Sequence, residues 1–232
     1  MIPGPDQIVA CPSCHGLAKY ATLMSGNTFG ARVWTDGKRE APMLPQPPAV
    51  VKCSHCAACY WLADAKKVGE LDLWGEDPLA EAEDWSATGE NPLAVPESWR
   101  AAEYVEEPSE SEYYAALRAG LATDSQQERA LRIFAWWRSN DPYRDSEDPP
   151  SGDASGNTER DENLQALLPL LAGSADQDRI MRAELLRELG RWGEAEGALL
   201  RVRAKEFAPA VKQITALCRA RDRSVRELKL DR

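Results

Sequence analysis

The alternation of apolar and polar positions divides the chain into short extended pieces followed by helical periods. Residues 31–34, Ala-Arg-Val-Trp, alternate over one short strand and lead into Thr35-Asp-Gly-Lys38, whose Asp-Gly pair predicts a hairpin turn. Residues 41–48 contain Pro42, Pro45, Pro47 and Pro48, which fix φ and remove amide donors, so this stretch is expected to be extended. Residues 49–52 and 59–62 read as two further strands. Residues 25–30, Ser-Gly-Asn-Thr-Phe-Gly, are turn-rich but lack the Gly-Lys-Ser/Thr of a phosphate-binding loop, and they read as a connection. The pattern predicts a small antiparallel ribbon.

From about residue 109 the apolar period lengthens to that of helices. Helices are predicted over 112–121, over 125–137 with a capping box at Ser125-Gln-Gln-Glu128, over 163–171, over 177–189 with Gly190 as the stop, over 194–207 and over 209–221. Residues 145–162, with Pro149-Pro150-Ser-Gly-Asp, read as a polar linker. Between ribbon and helices lies a stretch too broken by Pro78, Pro92 and Pro96 for a long helix. Its tryptophans, Trp74, Trp85 and Trp99, are too many for plain disorder, so it is expected to wrap one of the two folded parts. The alternative is an acidic docking surface for a basic partner. The fold class expected is α+β: a small antiparallel zinc ribbon over 1–67, an acidic connecting segment over 68–108, and an all-helical domain of antiparallel hairpins over 109–232.

Charge sharpens this division. The 232 residues carry a net charge of −10, distributed as +3 over 1–67, −17 over 68–163 and +4 over 164–232. Such a balance argues against a general nucleic-acid binder, because a polyanion is repelled at long range. No apolar run approaches the ~18 residues of a membrane span. The first residues lack the basic and apolar pattern of an export signal, so a cytoplasmic location without a membrane partner is expected.

Five of the six cysteines fall in the first block, as Cys11-Pro-Ser-Cys14-His15 and Cys53-Ser-His55-Cys56-Ala-Ala-Cys59. Two C-x2-C pairs 38 residues apart point to a tetrathiolate metal site, since each pair makes a tight turn with both thiolates on one side. The expected ligands are Cys11, Cys14, Cys53 and Cys56, with Zn2+ as the cofactor. Iron is the chemical competitor, because the same four thiolates accept it. Cys59, His15 and His55 are the residues able to displace one of the four. Cys59 reads better as an apolar strand residue. His15 stands where positive φ is needed after a knuckle, a place histidine tolerates.

Residues 8–65, with CPSCHG, SGNTFGARVWTDGK and VVKCSHCAACYWLADA, resemble the N-terminal zinc ribbon of a family of uncharacterised bacterial proteins in which the ribbon precedes a helical region. That resemblance implies the four ligands and a bacterial cytoplasmic setting, and implies no reaction. Members usually carry glycine after each C-x2-C pair, where this chain has His15 and Ala57. Ala183, Leu186, Gly190, Ala195 and Leu199 resemble one tetratricopeptide repeat, in which small residues let two helices approach. Val202 and Phe207 depart from that pattern, and no second copy is evident.

Both histidines stand beside the cysteines, which leaves no imidazole for a nucleophile-base pair elsewhere. Cys218 has apolar neighbours at helical spacing and reads as core. The arginine-rich residues 219–226 read as solvated or folded back on the chain. No catalytic residue is expected, and the chain is expected not to be an enzyme. The expected function is a zinc-stabilised interaction or adaptor module with a protein or peptide partner. The alternative is a nucleic-acid- or ribosome-associated ribbon that presents Lys38, Arg39, Lys52, Lys66 and Lys67 on one face, and an enzyme of unknown type stands third.

Overall fold

The computed structural model describes residues 1–72, 95–144 and 158–229. The chain begins with β1 (Ile2–Pro3), β2 (Asp6–Ala10), β3 (Leu17–Tyr20) and β4 (Leu23–Ser25), and continues through β5 (Arg32–Val33) and β6 (Arg39–Glu40). β7 (Val50–Lys52), β8 (Cys59–Trp61), β9 (Lys66–Leu71), a single helical turn α1 (Glu97–Arg100) and β10 (Glu103–Tyr104) follow. The helices are α2 (Glu110–Arg118), α3 (Ser125–Asn140), α4 (Thr158–Leu170), α5 (Asp176–Glu188), α6 (Trp192–Leu199) and α7 (Ala208–Ala220). The fold is α+β, with small sheets first and helices after them.

Two compact units result. The first comprises residues 1–30 and 41–108, and the second comprises 31–40 and 109–232. The Asp-Gly hairpin expected inside the ribbon thus folds with the helices.

In the first unit a four-stranded sheet runs β10-β3-β2-β9, with β2 antiparallel to both neighbours and β10 parallel to β3. Every residue of β2 is buried, as its central position requires. Asp6 is tolerated there because the Tyr104 hydroxyl on β10 donates to its Oδ2 at 2.6 Å. Gly69 on β9 is open enough for the Trp99 ring to lie against the backbone; a Cβ there would stand 2.0 Å from the indole. Trp99 therefore wraps the sheet as expected, while Trp74 and Trp85 lie outside the described residues. β7 and β8 form a separate hairpin, with Val51 opposite Tyr60 and Lys52 opposite Cys59.

The second unit packs its helices as sequential hairpins around Trp136, Leu164, Leu167, Leu185, Leu199 and Ile214. Its boundaries differ from expectation at α2, α3, α4 and α6. The capping box sits at Ser109 and Glu112 of α2. At α3 the cap is Asp124, whose Oδ1 accepts from the amides of Gln126 and Gln127 at 2.8 Å each. An aspartate one residue earlier caps as well as serine, so it displaces Ser125 from that role. α4 starts at Thr158, inside the expected linker; residues 145–157 of that linker lie outside the described residues.

α6 ends at Leu199 although the apolar pattern runs on. The reason is tertiary: the Asp176 carboxylate accepts from the amides of Arg203 at 2.9 Å and Ala204 at 2.7 Å and draws the chain out of helix. Gly190, at φ 75°, closes α5 as the sequence predicts, with its own amide and that of Arg191 bonded back to Arg187 and Leu186.

Candidate metal centre

Each C-x2-C pair sits at the tip of a hairpin, the first between β2 and β3, the second between β7 and β8. The two turns repeat one hydrogen-bond pattern. Cys11 N–H donates to Gly16 O and His15 N–H to Cys11 O, both at 2.9 Å; Cys53 N–H donates to Ala58 O at 3.0 Å and Ala57 N–H to Cys53 O at 2.9 Å. His15 and Ala57 take the matching left-handed places, at φ 60° and 59°. The strain of a Cβ there is accepted because the turn's bonds hold it.

The Sγ atoms of Cys11, Cys14, Cys53 and Cys56 lie within 4.8 Å of one another. Sulfurs facing across the two knuckles stand 3.9 Å apart for Cys11 and Cys56, and 3.6 Å for Cys14 and Cys53. A tetrahedron with metal–sulfur arms of ~2.3 Å has edges of ~3.8 Å, so these spacings fit a four-thiolate ion. None of the six cysteines is in a disulfide. The Gly16 amide donates to Cys14 Sγ at 3.4 Å and favours its thiolate, but the crowd of sulfurs led by Cys56 prevails, and the thiol is pushed up to about 12. The Cys14 thiol in this setting resists ionisation until a cation is beside it. The donor set therefore fits a soft or borderline divalent metal. Cys11 and Cys53 are buried against Val51 and Tyr60, while Cys14 and Cys56 face solvent.

The three competing residues have other placements. Cys59 lies on β8 outside the group of four. His15 supplies the left-handed turn. His55 reaches across to the first knuckle, where its Nε2 lies 3.2 Å from Leu17 O and its ring covers Gly16 so closely that a Cβ there would stand 2.3 Å from it. The sequence gives no sign of this latch, which joins the two half-sites through a side chain outside the group of four sulfurs.

The second unit holds a buried polar network that the sequence reading missed. Asp36, in the hairpin turn, accepts two hydrogen bonds from Arg144, at 3.2 Å on Oδ1 and 2.5 Å on Oδ2. The Lys38 amide adds a third bond at 3.1 Å, and Asn140 Nδ2 a fourth at 2.9 Å. Asn140 then passes the chain to Glu188, which also accepts from Trp136 Nε1 at 2.8 Å and from Arg160. Burial pushes the Glu188 carboxyl up to about 7, against the pull of Arg160. The guanidiniums of Arg32 and Arg144 each lie over the Trp34 ring, 5.2 and 5.1 Å from its centre. The arginine-rich end folds back on its own unit: Arg187 donates to the carbonyls of Asp222 and Ser224, and Thr35 N–H donates to Arg226 O at 2.8 Å. Cys218 is core, as expected.

Fold and site together define an α+β protein whose four-cysteine cluster suits a metal ion. No known protein family, curated protein or solved structure matches the chain. Among the described residues no helix is long and apolar enough to cross a membrane.

Proposed function

We propose that the protein is a zinc-stapled interaction module, in which the ion folds the first unit and the helical hairpins present a surface to a protein or peptide partner. The observation that carries this reading is the closure of the centre: four cysteine sulfurs at tetrahedral spacing leave no position for a reactive water. Zinc is the ion of choice because a redox-inert d10 cation tolerates two solvent-facing thiolates, Cys14 and Cys56. The likeness of α5 and α6 to a tetratricopeptide hairpin supports the partner role, since Ala183, Leu186, Ala195 and Leu199 are buried there and set two helices close together.

A nucleic-acid role has less support. The basic residues it needs are divided, with Lys38 and Arg39 in the second unit and Lys52, Lys66 and Lys67 in the first. Lys38 is paired with Asp141 at 2.5 Å, and Lys67 with Glu70 at 2.5 Å.

Cobalt substitution tests the reading. A Co2+ spectrum of four-thiolate type, unchanged by added anions, is the expected result. A spectrum that shifts with azide or shows a bound water would open the site to catalysis. Crosslinking of the zinc-loaded protein in host lysate, with and without nuclease, then separates a protein partner from a nucleic acid.

A further inference from the structure

The second unit contains a groove of about 610 Å³ between the turn that joins α4 to α5 and the outer side of α6. The apolar residues of its lining are Leu171, Ala172, Leu186 and Ala198, with Gly197 among them. Glycine inside a helix is less favourable than alanine. No packing contact accounts for it, because a Cβ built on Gly197 meets no atom within 4 Å. What the residue does is leave space open above α6.

Three arginines line that space. Arg179 and Arg182 stand one turn apart on α5, and Arg201 lies just beyond α6. Arg179 is paired with Asp176 at 2.5 Å and braced by the Arg201 carbonyl at 3.1 Å. Arg182 donates to the Leu168 carbonyl at 2.6 Å, a bond that fixes the guanidinium without neutralising it. The Arg201 side chain is exposed and has no partner among the described residues. The carboxylate of Glu194, also in the lining, is held by Arg191 through two bonds at 2.7 and 2.6 Å. Arg182 also acts on that Glu194 carboxylate, and the Arg201 side chain is left without a partner among the described residues, so the lining's three arginines outnumber its one glutamate on a chain whose net charge is −10.

We infer that this groove binds an acidic peptide: an extended segment with carboxylates for Arg182 and Arg201 and a small or apolar side chain between them over Gly197. Guanidinium matches carboxylate by a paired fork of donors. Ala172 and Ala198 offer apolar contact that a bare phosphate does not use, and a polynucleotide meets the chain's overall negative charge as repulsion. The inference rests on the interaction-module reading and names the chemical class of its partner.

The test is fluorescence anisotropy of the full-length, metal-loaded chain with a labelled peptide that alternates glutamate with leucine or alanine, and with its glutamine counterpart. The acidic peptide is expected to bind, and its affinity to fall at least about threefold between about 50 and about 300 mM salt. Arg201→Glu and Gly197→Leu are each expected to weaken it at least about tenfold. Gly197→Leu fills the groove while improving helix propensity, so helicity and melting temperature separate lost binding from lost folding. No binding by the unmodified chain, binding that survives Gly197→Leu, or equal binding of the glutamine peptide overturns the inference. Displacement by inorganic phosphate at equal charge reduces the groove to an adventitious anion site and overturns it too. If the peptide fails while a protein partner is still crosslinked, only the groove assignment falls; if no partner is captured at all, the module reading falls with it.

Discussion

Asp36 and Arg144, 108 positions apart, meet through two hydrogen bonds with both side chains withdrawn from solvent. A carboxylate buried in this way is stable only because every lone pair it offers is met by Arg144, Asn140 or the Lys38 amide. Arg144→Met should leave Asp36 buried without its countercharge and destabilise the helical unit by about 3–5 kcal/mol. Urea denaturation followed at a helical wavelength reads this directly, and a loss under 1 kcal/mol would show that the pair is not structural. The double variant Asp36→Leu/Arg144→Met should recover much of the loss, because no unpaired charge remains.

The metal prediction is one ion per chain, held by Cys11, Cys14, Cys53 and Cys56. Cys11→Ser or Cys53→Ser should abolish metal content and unfold the knuckle hairpins while most helical signal persists, since the ion supplies the folding free energy of its own hairpins. Cys59→Ser should retain the metal. Elemental analysis of the three variants decides the ligand set, and a metal-free Cys59→Ser protein would promote Cys59 to ligand.

His55 and Gly16 give a sharper probe of the same site. Gly16→Ala places a methyl in the volume of the His55 ring and should weaken metal retention by about 10–100-fold, the scale on which supporting contacts around a metal act. Adding His55→Ala to Gly16→Ala should restore part of that loss, because it removes the collision. Competition with a chromogenic chelator measures all four corners of the cycle, and strictly additive effects would mean that the two residues do not communicate.

Asp176 is the group through which acid should act on the end of α6. The amides of Ala204 and Arg203, and then Arg179, hold its carboxyl below the usual range. A depressed carboxylate stabilises the folded chain above its unfolded pKa of about 4, and that stabilisation is lost as pH falls through the lower folded value. Thermal melts of Asp176→Asn and the unmodified chain should therefore differ at pH 7 and converge below about pH 3. A constant difference across that range would refute the carboxylate's part.

Much of the metal centre was legible because its geometry is local. C-x2-C confines two thiolates to one turn, and the left-handed place at His15 lies just beyond its pair, where spacing locates it; Ala57 takes the matching place after the second pair, where the family resemblance puts a glycine. The stop at Gly190 is local in the same sense. What lay out of reach depends on partners distant in sequence. Asp-Gly announces a hairpin but not which unit it joins, and that choice is made by Arg144 and Asn140, which give the Asp36 carboxylate a dry and satisfied seat. Apolar periodicity carried α6 past Leu199, and a carboxylate on α5 ended it by capturing two amides. His55 reads as a second-knuckle residue until tertiary structure lays its ring over Gly16. Turns and helix periods are written in neighbouring residues, whereas the burial of a charge is decided only when the folded chain brings its counterion.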